Sequence, residues 1–187
     1  MNLEALAIQV LDAVEATGVP FMAVGAIAAG AYGVPRSTRD VDLLVALHTG
    51  GGILAVMKSL APFLNFDPQA QFDTLTWGRR QVGTTLTQPH MKVELFEMFD
   101  DPFVISEFDR RQRVFVPLLQ RHTWLPTAED VVVQKLRWGR SKDLDDARDV
   151  LAVQGTETLD MPYIRHWCDL HQTTTRLEDA LAGIPPL

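Results

Sequence analysis

Apolar and polar positions along this chain change period several times, and each change marks an element. Leu3, Leu6, Val10, Leu11 and Val14 recur at helical spacing behind Asn2, which suits a cap, and Gly18 closes the segment. Residues 21–24 read as a short buried strand, and Gly25 turns the chain into a helix of small residues over 26–32. A strand is predicted at 40–46 and a second surface helix at 52–60. Residues 62–90 hold no sustained period, and one strand is expected near 80–86. Alternation at 91–98 predicts another strand, and 113–118 a further one. Beyond Pro126 the period becomes helical. Thr127 with Asp130 forms a capping box opening a helix that runs to about Trp138, where Gly139 stops it. Ser141 is expected to cap the next helix, with Leu144, Ala147, Val150 and Leu151 facing inward. Two more helices are predicted at 162–171 and 176–181. The pattern is that of an α+β body over 1–125, with a helical C-terminal part, 126–187, packed on it.

The chain has 187 residues, 47% hydrophobic and 22% charged, which is ordinary for a folded domain and excludes a disordered one. Residues 16–35 form a stretch of 20 without a charge, about the length of a membrane span, but four glycines and two prolines break it. Met1 to Ala16 has no charged start or early apolar run and does not read as a signal peptide. The single Cys168 excludes an intramolecular disulfide and a cysteine-rich zinc site. A soluble cytoplasmic protein is the expectation. The net charge of -7 excludes a protein held to nucleic acid by overall positive charge, and most of the acidic excess lies beyond residue 93.

Candidate chemistry centres on Asp40-Val41-Asp42. Side chains alternate on a strand, so Asp40 and Asp42 project from one face ~6.6 Å apart while Val41, Leu43 and Val45 fill the other. Two carboxylates beside apolar residues repel each other and call for a cation, and Mg²⁺ is the economical one. The pair alone is weak, because about 1.4 such pairs are expected by chance with this aspartate content. Asp143 and Asp145 form the second, on a predicted helix where i and i+2 do not share a face.

Company strengthens the first pair. Gly25 ends a strand and opens a helix, whose free N–H groups suit a phosphate. Met91-Lys92-Val93-Glu94-Leu95-Phe96 places a third carboxylate, Glu94, among apolar residues. Three carboxylates and a phosphate cradle are what two-metal phosphoryl or nucleotidyl transfer requires.

These residues resemble the nucleotidyltransferases of the DNA polymerase beta superfamily, whose signature is an apolar residue, Gly, Gly or Ser, a spacer and Asp-x-Asp, with a later third acid. The matching positions are Gly25, Ala26, Asp40, Asp42 and Glu94. A closer likeness is to AbiEii-type toxins and related bacterial proteins. Arg36-Ser37-Thr38-Arg39-Asp40-Val41-Asp42 resembles their Arg-x-Thr-x-Asp-x-Asp. Val132-Val133-Gln134-Lys135-Leu136 and Lys142-Asp143-Leu144-Asp145-Asp146 resemble two of their helical elements. Ala26 departs from the pattern, since its Cβ stands where the family has Gly or Ser.

The resemblance implies a polymerase-beta-like α+β fold with a small mixed sheet, and transfer of NMP from an NTP to a hydroxyl. It implies two Mg²⁺ on Asp40, Asp42 and Glu94, and phosphates held by Gly25, Ala26, Arg36, Thr38 and Lys135. The acceptor could be an RNA end, a protein or a small molecule, and the chain a toxin with an antitoxin partner. A catalytically silent nucleotide-binding or interaction module, and a metal-dependent phosphohydrolase, are the rivals.

Plainer roles are open for several residues. Lys135 could snorkel at the surface, and Asp143 and Asp146 could serve as helix-dipole partners or in a supporting role near Lys135. Arg79-Arg80 and Arg110-Arg111-x-Arg113 read as solvated loops, with a grip on an RNA acceptor as the alternative. Ile164, Trp167, Cys168 and His171 form a stripe read as core, and His166 is expected at the surface. Neither a P-loop nor Gly-x-Gly-x-x-Gly is present.

Overall fold

A computed structural model describes residues 2–46, 52–72, 78–88 and 90–184. Helix α1, Leu3–Glu15, is capped by Asn2, whose side chain accepts from the Ala5 amide. Strand β1, Phe21–Ala23, leads into α2, Gly25–Tyr32, and β2, Asp40–Val45, follows. Next come α3, Gly52–Leu60, and strands β3, Leu64–Phe66, β4, Gln71–Phe72, β5, Arg79–Thr85, and β6, Lys92–Glu97. Helix α4, Pro102–Asp109, precedes β7, Gln112–Val116, and β8, Arg121–Leu125. The chain ends in α5, Ala128–Trp138, α6, Ser141–Gln154, α7, Met161–Leu170, and α8, Thr174–Ala182.

The main sheet runs β1-β2-β6-β5-β3, with β4 also paired to β5. Strands β2 and β6 are parallel and the other pairings antiparallel, so the sheet is mixed as expected. Its two faces differ in chemistry. Val41, Leu43, Val45, Val93 and Leu95 point into a large apolar cluster that also takes in α1 and much of α5 to α8. The opposite face carries Asp40, Asp42 and Leu44 on β2, aligned with Glu94 and Phe96 on β6. A smaller cluster of Met22, Leu44, Met98, Val104 and Phe108 seals the far end of that face under α4. Acidic residues thus occupy one end of a face whose other end is apolar.

Four elements were not in the periodic pattern. Strands β3 and β4 have three and two residues, too short for any period to emerge. Helix α4 begins with Asp101 accepting from the Phe103 and Val104 amides and has proline in its first turn, a regular start for a helix. Strand β8 buries Thr123, so its inward face reads as polar in sequence. Arg140, rather than Ser141, occupies the cap position of α6. Residues 73–77 and 89, within the segment that lacked a period, lie outside the described residues. Among the described residues, no helix is long and apolar enough to cross a membrane.

Candidate active site

The loop between β1 and α2 brings the chain against β2. The Val24 amide donates to the Asp42 carbonyl at 2.9 Å, and Gly25 follows with φ +63°. That left-handed backbone favours glycine, and there is a second demand for it. A Cβ at Gly25 would stand 2.9 Å from the Asp42 carboxyl carbon and closer still to Oδ2. Gly25 therefore lets the first turn of α2 rest directly on the Asp42 carboxylate.

The parallel register places Asp42 opposite Glu94 and Asp40 opposite Lys92. Burial pushes the Asp42 pKa up from 3.8 to about 7, and the charges of Glu94 and Asp40 push it the same way. Burial also raises Glu94, while Arg80 pulls it back and Asp40 adds to the rise. Arg80 lies opposite Phe96 on β5, and its Nη1 approaches Glu94 Oε2 to 3.0 Å. Among the described residues, no three acidic, His or Cys side chains are gathered closely enough to hold an ion in this arrangement. Glu94 is turned to Arg80, whose cation neutralises it.

The donor set nevertheless fits a hard cation. Three carboxylates line one cleft of about 180 Å³, together with Gly25, Ala26, Arg36 and Thr38. One of those carboxylates is costly to ionise beside its neighbours, and a divalent cation relieves that cost.

Behind the cleft lies a buried ion network. Lys135 Nζ, only 3% exposed, stands 3.3 Å from Asp143 Oδ1 and 2.7 Å from Asp146 Oδ2. Arg36 Nε reaches Asp146 Oδ1 at 2.7 Å and its Nη2 reaches Oδ2 at 3.0 Å. Arg140 Nε contacts Asp143 Oδ2 at 2.5 Å. Burial raises the Asp146 pKa, but the hydrogen bonds from Arg36 and Lys135 outweigh it and hold the group below the usual carboxylate range. Three cations against two carboxylates leave this wall positive, facing the carboxyl floor of Asp40, Asp42 and Glu94.

The structure therefore brings all the expected site residues to one cleft, but it corrects one of the plainer readings. Lys135 does not snorkel at the surface, because it is buried and paired. Asp143 and Asp146, at the start of α6, take the supporting role beside Lys135 and also hold Arg140 and Arg36. Asp145 is the exposed member of its run and pairs with Arg148. Arg36 offers its guanidinium to Asp146 first, so any phosphate contact would share that group.

Replacing Asp146 with alanine is expected to leave Lys135 with Asp143 alone. The cost should fall near the lower end of the about 3–5 kcal/mol typical for breaking a buried pair. Urea unfolding would read it directly.

Arg80, Trp138, Arg140 and Lys142 also line the cleft and were not among the expected site residues. Arg80 was grouped with solvated loop arginines, and only the β5–β6 register reveals its place. The other basic run is absorbed structurally. Arg110 pairs with Asp130 and lies over Tyr163, Arg111 lies over Phe108 and Trp124, and Arg113 reaches Glu15. The stripe of Ile164 and Cys168 is core, and Trp167 stacks on His171, whose pKa burial lowers to about 4.

No family model matches the chain, and no curated protein sequence matches it. Similarity appears at the level of solved structures. The antibiotic-resistance factor ANT(2'')-Ia in solution aligns with a TM-score of 0.62 at 11% identity, over 94% of each chain. The crystal structure of ANT(2'')-Ia with adenylyl-2''-tobramycin aligns at 0.60 and 14% identity, over 92% of this chain and 98% of that one. A protein from Thermotoga maritima described as a candidate nucleotidyltransferase aligns at 0.54 and 16%, over 81% and 95%. At these identities the likeness concerns the fold, which is that of the nucleotidyltransferases.

Proposed function

We propose that the chain is a Mg²⁺-dependent nucleotidyltransferase that moves NMP from an NTP to a hydroxyl acceptor. One observation carries the reading: Asp40, Asp42 and Glu94 line one cleft, and Gly25 lets the first turn of α2 rest directly on the Asp42 carboxyl. Carboxylates crowded in this way, with Asp42 raised by burial and by its acidic neighbours, suit a divalent cation.

Asp40 and Asp42 would hold two ions, with Glu94 completing the set once it leaves Arg80. When bound, the ions lower the pKa of an attacking hydroxyl and neutralise the departing pyrophosphate. Gly25 and Ala26 present amides at the start of α2 to the β and γ phosphates. Thr38 and Arg36 stand on the loop before β2, and Lys135 adds charge from the wall behind. The hydroxyl oxygen bonds to the α phosphorus, the bond from that phosphorus to the bridging oxygen breaks, and pyrophosphate leaves. The hydroxyl proton passes to a carboxylate of the cleft.

The acceptor class spans an RNA end, a protein side chain and a small molecule, the last supported by the tobramycin adduct held by ANT(2'')-Ia. The AbiEii-like residue pattern supports a toxin kept in check by an antitoxin partner in the cytoplasm. A second reading, a catalytically silent nucleotide-binding module, is favoured by Ala26 and by the Arg80 grip on Glu94.

The test is incubation with each α-labelled NTP and Mg²⁺ beside total RNA, cell protein or aminoglycosides. Label should pass to one acceptor class with pyrophosphate released, and Asp40→Asn should abolish it. Inorganic phosphate in place of pyrophosphate would indicate a phosphohydrolase. Activity that appears only with Ala26→Gly or Ala26→Ser would indicate the silent module.

A further inference from the structure

One guanidinium of the cleft is held between two strands without being fully satisfied. Arg80 on β5 lies opposite Gln71 of β4 and Phe96 of β6, while Val82, two residues on, lies opposite Glu94. Its side chain leans diagonally along the carboxylate face of the sheet, over the Phe96 ring at 5.9 Å. There Nη1 donates to Glu94 Oε2 at 3.0 Å, and Nη2 donates to Gln71 Oε1 at 3.3 Å. Nε is buried and finds no acceptor among the described residues. A buried donor left so is a cost that an added acceptor would remove.

Two exclusive choices meet at this contact. Glu94 can turn to Arg80 or join Asp40 and Asp42 around an ion. In the first posture no three acidic, His or Cys side chains gather closely enough to hold one, among the described residues. Arg80 can keep Glu94 or turn to phosphate oxygens in the cleft it lines with Arg140 and Lys142. The other ion pairs of the cleft present no such choice. Arg36, Lys135 and Arg140 are tied to Asp143 or Asp146 in the wall, whereas Arg80 is tied to the carboxyl floor itself.

We propose that Arg80 is a latch that withholds Glu94 from a divalent ion until a polyphosphate takes its guanidinium, so that ion and nucleotide bind cooperatively.

The exchange trades one ion pair for two stronger ones. On opening, the Glu94 carboxylate meets a divalent ion, and the Arg80 fork meets phosphate oxygens that also supply the acceptor its Nε lacks. An ion alone must break the latch at its own expense, and a nucleotide alone leaves Glu94 without a cation. Each ligand therefore does for the other what neither does cheaply by itself.

The inference rests on the nucleotidyl-transfer reading for its ligands, and it can fail separately from it. Mn²⁺ titrated into the intact protein without nucleotide, and followed by electron paramagnetic resonance, reads the latch directly. Arg80→Gln should bind Mn²⁺ about tenfold more tightly than the wild type, within the usual range of such couplings. The same change in a Glu94→Gln background should gain less than about threefold, because the gain runs through Glu94. Lys142→Met removes a cleft charge that acts on Asp42 rather than Glu94, and it too should gain less than about threefold. A saturating non-hydrolysable NTP should tighten Mn²⁺ at least about tenfold more in the wild type than in Arg80→Gln. Equal Mn²⁺ affinity in the wild type and Arg80→Gln overturns the proposal. So does an undiminished gain in the Glu94→Gln background, or an equal gain in Lys142→Met.

If Arg80→Gln does not fold, nitrogen NMR of the wild type decides the matter. The Arg80 Nε–H signal should move when the NTP binds with divalent ions chelated, and an unmoved signal overturns the latch. Cooperative binding without label transfer would sink the transfer reading alone. Label transfer without this coupling would sink the latch alone.

Discussion

Asp42→Asn is expected to abolish nucleotidyl transfer and, in the same protein, to stabilise the ion-free fold above neutral pH. The two effects share a cause. In the folded chain the Asp42 carboxyl keeps its proton up to about pH 7, because burial and the charges of Glu94 and Asp40 oppose ionisation. In the unfolded chain it ionises near 3.8. Between these values the folded state binds more protons, so stability falls as pH rises. A lift from 3.8 to about 7 corresponds to a penalty of about 4 kcal/mol, absent below pH 3.8 and complete above pH 7.

Urea unfolding from pH 4 to pH 8 without divalent ions should therefore show a steeper decline in the wild type than in Asp42→Asn. Glu94 and Glu107 also rise on folding, but they contribute to both proteins and cancel largely in the difference. Mg²⁺ at pH 8 should recover the loss in the wild type, by about 2.7 kcal/mol at a hundredfold excess over its Kd, and leave the variant unmoved. Removing several kcal/mol of charge stabilisation at the reacting phosphate should cost transfer about 10³-fold or more. A variant with the wild-type pH slope would show that Asp42 does not carry the site's electrostatic burden.

Gly25→Ala should have the second-largest effect. Its φ of +63° costs a residue with a side chain on the order of 1–3 kcal/mol. The added methyl would also collide with the Asp42 carboxyl, and backbone on both sides blocks an easy retreat, since Val24 is bonded to Asp42 and α2 begins at Gly25. Loss of Mg²⁺-dependent stabilisation should accompany loss of stability. By contrast, Ala26→Gly, one residue on, should keep the Mg²⁺ response. Thermal unfolding with and without Mg²⁺ distinguishes the two positions.

Much of this site was legible because it is local. Asp40 and Asp42 announce a shared face through the alternation of β2, and Gly25 announces a strand-to-helix turn. Thr127 and Asp130 mark the start of α5, where the Thr127 side chain accepts from the Asp130 amide, and Gly139 with φ +66° ends it. The remainder depends on distant pairings. Arg80 reaches Glu94 only because β5 lies beside β6 with Val82 opposite Glu94, and no spacing along the chain encodes that register. The Lys135 pairs lie on the next helix, so their residue types were visible while their burial was not. Helix α4 was missed, having only eight residues. Short elements carry too little period to declare themselves, and they form because neighbours already in place bury them.

The central claim is that Asp40, Asp42 and Glu94 hold divalent ions together with a nucleoside triphosphate. Mn²⁺ counted by electron paramagnetic resonance, with a saturating non-hydrolysable NTP, tests it most directly. The account expects two ions per wild-type chain, with Glu94 released from Arg80, and at most one in Asp42→Asn. Equal Mn²⁺ binding by the two proteins would contradict it.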